Sequence, residues 1–460
     1  MKLCILGGGG SRAIILTKSI LQKAPLLGIT EIVFMDNNEV GLSIFGEMAK
    51  QAASIINPDV NVTFTTDAVN AISDSDYIIT TIRVGGDAGR VWNERIALKH
   101  GVLGQETTGA GGFAMAMKTI PALQAYCALI REHAKKDVMV FNFSNPSGLV
   151  TQAMRDLGYD FVYGVCDAPS GFLHQVAKFR ETANESLRMD VFGLNHLSYF
   201  TSITENGTDI TRELLYDPKL YTETDMRYFE PELPQRWDVL FNEYLYYFYY
   251  REKAVQNILN SECTRGESIL SINKNMMNEL KRLDPKKDFQ RMLEIYAKYN
   301  HQRELSYMAT ESSVQRNETA APKFDLFSPE EGGYAGIALA FIQAKLMGKT
   351  SEMVLSVPNQ GTVDWLADDD VVETTCMIGP NGAITKKGMK PLPESAKVLI
   401  QTMKRYERLA AQGILEKDKS LMVEALMVHP LVNSYSLAKC LVTDYLKWNI
   451  EDFEIGGQNG

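Results

Sequence analysis

The sequence predicts an α/β protein in which a doubly wound parallel sheet is followed by an α+β domain. Three features carry that prediction: a glycine-rich turn between a strand and a helix at the start, apolar strands alternating with helical stretches, and a change of texture after residue 187. At 460 residues the chain suits two closely packed domains, expected at 1–165 and 166–460.

The first element is the apolar run KLCIL (2–6), followed by four glycines and then AIILTKSIL, whose apolar residues recur at helical spacing. Gly8, Gly10 and Ala13 fit the G-x-G-x-x-G/A pattern, which lets backbone approach a pyrophosphate at a helix N-terminus. The second strand, EIVFMD (31–36), ends on Asp36, an acid placed to accept hydrogen bonds from a ribose diol. No arginine follows at once to favour a 2′-phosphate, so NAD is preferred over NADP. Together these elements read as a Rossmann-type domain.

Further strands are predicted at VTFTTD (62–67), YIITTIRVGG (77–86), VMVFNFSNP (138–146) and FVYGVCD (161–167). Continuous apolar strands alternating with helices imply a parallel sheet covered on both faces. Ligands bind beyond the carboxyl ends of such strands, which puts Arg83, Asn145, Cys166 and Asp167 on the rim of the glycine turn. In the second half, DVFGLN and YFTSIT read as strands, with Asn206-Gly207 as a hairpin signal. Tyrosine-rich helical stretches are expected over 236–260 and 270–310. A helix at GGYAGIALAFIQAKL, a short β segment near 353–377 and two C-terminal helices complete the chain.

Composition narrows the function. Apolar residues at 45% and charged residues at 23% are ordinary for a globular protein, and no apolar run approaches the roughly 18 residues of a membrane span. The N-terminal apolar stretch is too short for a signal peptide, so a cytoplasmic location is expected, with no membrane partner. Six widely separated cysteines argue against a disulfide framework, and a net charge of −10 argues against nucleic acid. An anionic substrate would need a local arginine cluster.

Cys166 and His196 form the sharpest constellation. A thiolate and an imidazole suit an open transition-metal site completed by water and substrate, although a buried thiol and a core histidine are the plainer reading of the spacing alone. GQETTGAGGF (104–113) reads as a loop lying close to a ligand or as a plain glycine-rich turn. Arg83, Arg90 and Arg95 either fork onto a phosphate or carboxylate, or form a solvated face. EYLYYFYY (243–250) reads first as packing, because a tyrosine serves as a base only when a nearby cation lowers its pKa from about 10.

Read together, these residues resemble glycoside hydrolase family 4, the NAD- and metal-dependent 6-phosphoglycosidases with a lactate/malate dehydrogenase-like fold. The resemblance spans most of the chain: GGGGSR (7–12), IRVGG with Arg90 and Glu94 behind it, GQETTGAGG, NFSNPSG (142–148), GVCDAP, GLNHL (193–197), EYLYY, TRGE (264–267) and VHPLV (428–432). It implies that NAD, held by Gly8, Gly9, Gly10, Ser11 and Asp36, takes hydride from C3 of the sugar. Mn²⁺ or another divalent metal is implied on Cys166 and His196, with Tyr244 as the base that removes the C2 proton. Elimination at C1, hydration and return of the hydride then complete a hydrolysis. Asn145 and Asn195 are implied to bond sugar hydroxyls, Glu106 and Asp167 to lie near the sugar, and Arg83, Arg90 and Arg265 to hold a 6-phosphate.

Two positions depart from the β-specific pattern: Cys-Asp-Ala-Pro is the choice of α-linked specialists, in which Asp167 protonates the leaving oxygen, and Glu331-Gly332-Gly333 replaces an Arg-Gly-Gly. The expectation is a 6-phospho-β-glucosidase acting on a phosphorylated disaccharide or glucoside, as a homodimer or homotetramer, with a 6-phospho-α-glucosidase as alternative. From another class, an NAD-dependent 2-hydroxy-acid dehydrogenase shares the sheet, but the thiol at 166 and the GQETTGAGG loop argue against it.

Overall fold

The computed structural model describes residues 1–315, 321–329, 333–348 and 350–447. Six parallel strands come first: β1 (Lys2–Leu6), β2 (Glu31–Met35), β3 (Asn61–Thr65), β4 (Tyr77–Thr80), β5 (Met139–Asn142) and β6 (Val162–Gly164). Their order, 3-2-1-4-5-6, is that of a Rossmann sheet, with the reversal between β1 and β4. The apolar strands β1, β2, β4 and β5 are buried on both faces, as their uninterrupted Ile, Val, Phe and Met runs require.

The sheet does not stop at the expected boundary. β6 pairs antiparallel with β11 (Ser351–Pro358), and the order continues through β12 (Val371–Gly379), β7 (Leu187–Leu194), β8 (Leu197–Glu205) and β10 (Leu240–Phe241). Two short strands sit off this path: β9 (Thr208–Asp209) beside β8, and β13 (Gly382–Thr385) beside β12. Helices Arg12–Leu27, Phe289–Leu305 and Gly333–Met347 cover one face, in a core with Phe34, Phe141, Met292 and Phe341. Helices Gly109–His133, Ser147–Asp156 and Glu394–Glu416 cover the other, with Phe113, Val140 and Tyr199.

Several local expectations need correction. The stretch 236–260 is not one helix: Asp238 takes a left-handed conformation, Leu240–Phe241 joins the sheet, and a 3₁₀ turn at Glu243–Leu245 precedes the helix Arg251–Asn260. The stretch 270–310 divides into Arg265–Leu280 and Phe289–Leu305, because the polar LDPKKD segment with its proline cannot continue a helix. The β segment near 353–377 is two paired strands, β11 and β12. The described C-terminal helices are three: Glu394–Glu416, Lys419–Val428 and Tyr435–Tyr445. In 104–113, only the first part is a loop, and Gly109 opens the 25-residue helix Gly109–His133.

That helix also corrects the reading of apolar runs, since it is long and apolar enough to cross a membrane by length and composition. Half of its most apolar window is buried in the protein, and Phe113, Ile120, Leu123 and Cys127 are inaccessible to solvent in the core. All six cysteines are free.

Candidate active site

The glycine turn follows from the packing of β1 against its neighbours. Gly7 has φ +94°, and a Cβ there would sit 2.7 Å from the Thr81 carbonyl carbon. Gly7 and Gly8 both donate their amides to the Met35 carbonyl at 2.9 Å, which turns the chain over the end of β2. A Cβ on Gly8 would meet Phe34 at 2.7 Å, so Gly8 serves the close approach of the turn to β2. Gly9, Gly10, Ser11 and Asp36 line a cleft of about 1410 Å³; Gly8 does not.

Asp36 anchors the turn: its Oδ2 accepts from Gly9 N at 2.8 Å and its Oδ1 from Asn38 N at 3.0 Å. Burial raises its pKa, and these backbone donors oppose the rise. The cleft exceeds the roughly 300–1,000 Å³ of ordinary ligand pockets, as room for a dinucleotide together with a sugar requires.

Cys166 and Asp167 lie on the turn between β6 and helix Ala168–Phe179 and line the same cleft. His196 reaches it from the other half. It occupies the two-residue turn joining β7 to β8, beyond the Leu194–Leu197 pair, with φ +64°. This left-handed turn throws the imidazole out of the sheet toward Cys166. The Cys166 Sγ and His196 Nε2 are 3.5 Å apart. Donors bound to one cation at about 2.3 and 2.1 Å, at angles of about 90–109°, would be about 3.1–3.6 Å apart, so this pair fits a shared metal. Among the described residues no group of three or more His, Cys, Asp or Glu is set to hold a metal, so such an ion would keep open positions. Burial pushes the Cys166 thiol well up and lowers His196 to about 4, which leaves the imidazole neutral and able to ligate.

Tyr244 sits on the 3₁₀ turn after β10, its amide donating to Asn242 Oδ1 at 3.0 Å, while Asn242 Nδ2 donates to Ser198 Oγ at 3.3 Å. Its ring stacks on His196 with centroids 3.9 Å apart at 16°. Burial raises its phenol well above 10, and the neighbouring Glu243 and Cys166 add to the rise, while a hydrogen bond with Tyr307 opposes it. A cation on Cys166 and His196 would counter that rise, as the sequence reading of a basic tyrosine demands. Burial beside Asp225 and Asp167 raises Glu243 to about 8.

Two of the arginines expected to hold a phosphate, Arg83 and Arg90, engage Glu106. Arg83 Nη1 donates to Glu106 Oε2 at 2.5 Å, and Arg90 Nη1 lies 3.2 Å from Glu106 Oε1. Arg90 is buried and also donates to Glu94 Oε1 at 2.8 Å. With Arg265 nearby, they hold the Glu106 carboxyl far below the usual carboxylate range despite its burial. Arg265 itself donates to Ser306 and stacks over the Tyr307 ring.

Asn145, preceding a cis peptide to Pro146, lines the cleft. Asn195 does not: its Nδ2 donates to Glu373 Oε1 at 3.1 Å on the far side of the turn. Glu373, 2% exposed, also accepts from Ser198 Oγ at 2.8 Å and so clamps both flanks of His196. Glu331 and Gly332 lie outside the described residues, and Gly333 begins the helix Gly333–Met347.

The sequence reading missed Glu373, Tyr307 and Arg303. Arg303 reaches across from helix Phe289–Leu305 and donates to Ser11 Oγ at 2.7 Å. None of the three stands in a motif. Gly7, in contrast, could have been recognised from its place at the end of the first strand.

Comparison with known proteins identifies the family. The model of the family 4 glycosyl hydrolase domain matches residues 2–182, and that of the family 4 glycosyl hydrolase C-terminal domain matches 191–432. A 6-phospho-beta-glucosidase of Thermotoga maritima is 27% identical over 99% of this chain and 100% of its own length. A phospho-alpha-glucosidase of Clostridium acetobutylicum is also 27% identical, over 97% of both chains. The Thermotoga maritima enzyme solved with manganese, NAD⁺ and glucose-6-phosphate superposes with a TM-score of 0.81, at 27% identity, over 98% of this chain and 99% of that one. A 6-phospho-alpha-glucosidase from gut microorganisms shares the fold, with a TM-score of 0.78 at 22% identity over 97% of each chain. Matched along nearly its whole length by both family models, the chain belongs to family 4 of the glycosyl hydrolases.

Proposed function

We propose that this protein is a 6-phospho-β-glucosidase that hydrolyses phosphorylated disaccharides or glucosides using NAD and a divalent metal, Mn²⁺ first among them. One observation carries the reading: the glycine turn, Asp36, the Cys166–His196 pair and Tyr244 all line one cleft. The relatives solved with NAD, manganese and glucose-6-phosphate support it.

Gly9, Gly10, Ser11 and Asp36 hold the dinucleotide, and Cys166 and His196 hold the metal. When bound, these groups supply a reversible hydride acceptor and a Lewis acid for the sugar oxygens. Tyr244, held against His196, takes the proton from C2, and its hydrogen bond with Tyr307 stabilises the phenolate. Arg83, one-quarter exposed on the cleft wall, and Arg265 contact the 6-phosphate, whereas Arg90 buttresses Glu106. Asn145 bonds a sugar hydroxyl. Asn195 acts from behind by holding the His196 turn. The enzyme works in the cytoplasm as a homodimer or homotetramer.

A second reading, 6-phospho-α-glucosidase, draws on Asp167: the residue lines the cleft beside Cys166, where a carboxyl group can protonate a leaving oxygen. A panel of α- and β-nitrophenyl glucosides, with and without a 6-phosphate, assayed with NAD⁺ and Mn²⁺, separates the two. Fastest turnover is expected on the phosphorylated β-glucoside. Exclusive turnover of α substrates would assign the α activity, and no turnover of any phosphorylated glucoside would overturn the proposal.

A further inference from the structure

His196 is a wall shared between the cleft and a second, smaller cavity of about 20 Å³. The cavity is large enough for one water molecule, which needs about 10–15 Å³. Three side chains lining it each carry a buried polar atom without a partner: His196 Nδ1, Thr108 Oγ1 and His429 Nε2. All three residues are at least nine-tenths buried. Glu407, also buried, adds a carboxylate to the same wall, its Oε2 engaged by Lys404.

The protonation pattern is set by geometry. His429 Nδ1 accepts from Leu431 N at 3.1 Å, so Nε2 carries the ring proton and is a donor. A metal on His196 Nε2 leaves the proton on Nδ1, a second donor. Thr108 precedes helix Gly109–His133 yet makes no side-chain capping bond, so its hydroxyl is available to the cavity. Two donors, a hydroxyl and a carboxylate match the two acceptor and two donor sites of a single water.

We infer that this cavity binds one structural water that accepts from His196 Nδ1 and His429 Nε2 and donates to Thr108 and Glu407, fixing the ring of the metal-binding histidine. The inference gives the terminal VHPLV segment a positioning role and rests on the proposed metal site at Cys166 and His196. Residues hydrogen-bonded behind a metal-ligating histidine typically affect metal affinity about 10–100-fold.

A crystal structure of the full-length, metal-free protein, at a resolution that shows ordered water, should reveal density within hydrogen-bonding distance of both nitrogens. A dry cavity would overturn the inference. Titration with Mn²⁺ alone, without NAD, should show about tenfold weaker binding for Thr108→Val and near-native binding for Thr108→Ser. Native affinity in Thr108→Val, or equal loss in Thr108→Ser, would refute the positioning role. If the native protein binds no Mn²⁺ at all, the metal assignment fails, and the density test still decides the water site by itself.

Discussion

The two walls of the cleft differ in what they present. On the glycine-turn side, the wall includes a stretch of bare backbone at Gly7, Gly9 and Gly10, where Gly7 and Gly8 pack against Thr81 and Phe34 with no room for side chains. On the facing side stand side chains: His196 and Tyr244, held by turns set from behind by Asn242, Ser198 and Glu373, and Tyr307, whose hydroxyl donates to Glu243 Oε1. The first wall is a surface for holding a nucleotide and the second a device for moving a proton. Substitutions should therefore fail in different ways: on the first wall through fold and affinity, on the second through rate.

The largest effect is expected on the second wall. Tyr244→Phe keeps the ring that stacks on His196 and removes only the phenol, so folding and Mn²⁺ affinity should be native while kcat falls by about 10²-fold or more. KM should change little, since the interaction lost is one made in the transition state. A native kcat would show that the base is elsewhere in the tyrosine run and would erase the contrast between the walls.

A smaller and differently shaped effect is expected on the first wall. Gly8→Ala forces a methyl into Phe34 and should cost about 1–3 kcal/mol in urea unfolding. Gly10→Ala meets nothing nearer than the Gly7 carbonyl oxygen at 4.0 Å, so it should unfold like the native protein and lose NAD affinity, because Gly10 lines the cleft. If both variants lost stability equally, the turn would be a packing element throughout, and the division between the two glycines would be wrong.

These contrasts also explain what the sequence made legible. The parallel strands and the glycine turn were readable because each is dictated locally, by a run of buried residues or by a conformation that only glycine relieves. Cys166 and His196 were readable as a candidate pair but their contact was not, since a 30-residue separation says nothing about a left-handed hairpin turn that brings His196 to Cys166. The stretch 236–260 misled for a physical reason: helix formers fill only its REKAVQNILN end, while the aromatic run before it has no such preference and Leu240–Phe241 pairs with β8. Glu373 was invisible because its meaning lies in two hydrogen bonds to residues more than 170 positions earlier. Arg83, Arg90 and Arg265 line the cleft while Arg95 pairs with Glu267 on the surface, and counting cations could not reveal that Glu106 already engages two of them.

The smallest effect is expected where the halves touch outside the cleft. Glu94 and Arg95 are neighbours on helix Gly86–Lys99, and both reach helix Arg265–Leu280. Glu94 is buried, accepting from Gly266 N at 2.8 Å through one oxygen and from Arg90 through the other. Arg95, with its side chain 52% exposed, forks onto Glu267 at 2.8 and 2.5 Å. Exposed pairs of this kind contribute at most about 1 kcal/mol and weaken as salt screens them. Glu267 also keeps its capping bond from Thr264 N when the arginine is gone. Arg95→Ala should therefore lower stability by less than about 1 kcal/mol, with the difference shrinking further in high salt. A salt-independent loss of several kcal/mol would mean that the two halves are joined through this surface fork, and that the buried Glu94 contact beside it is secondary.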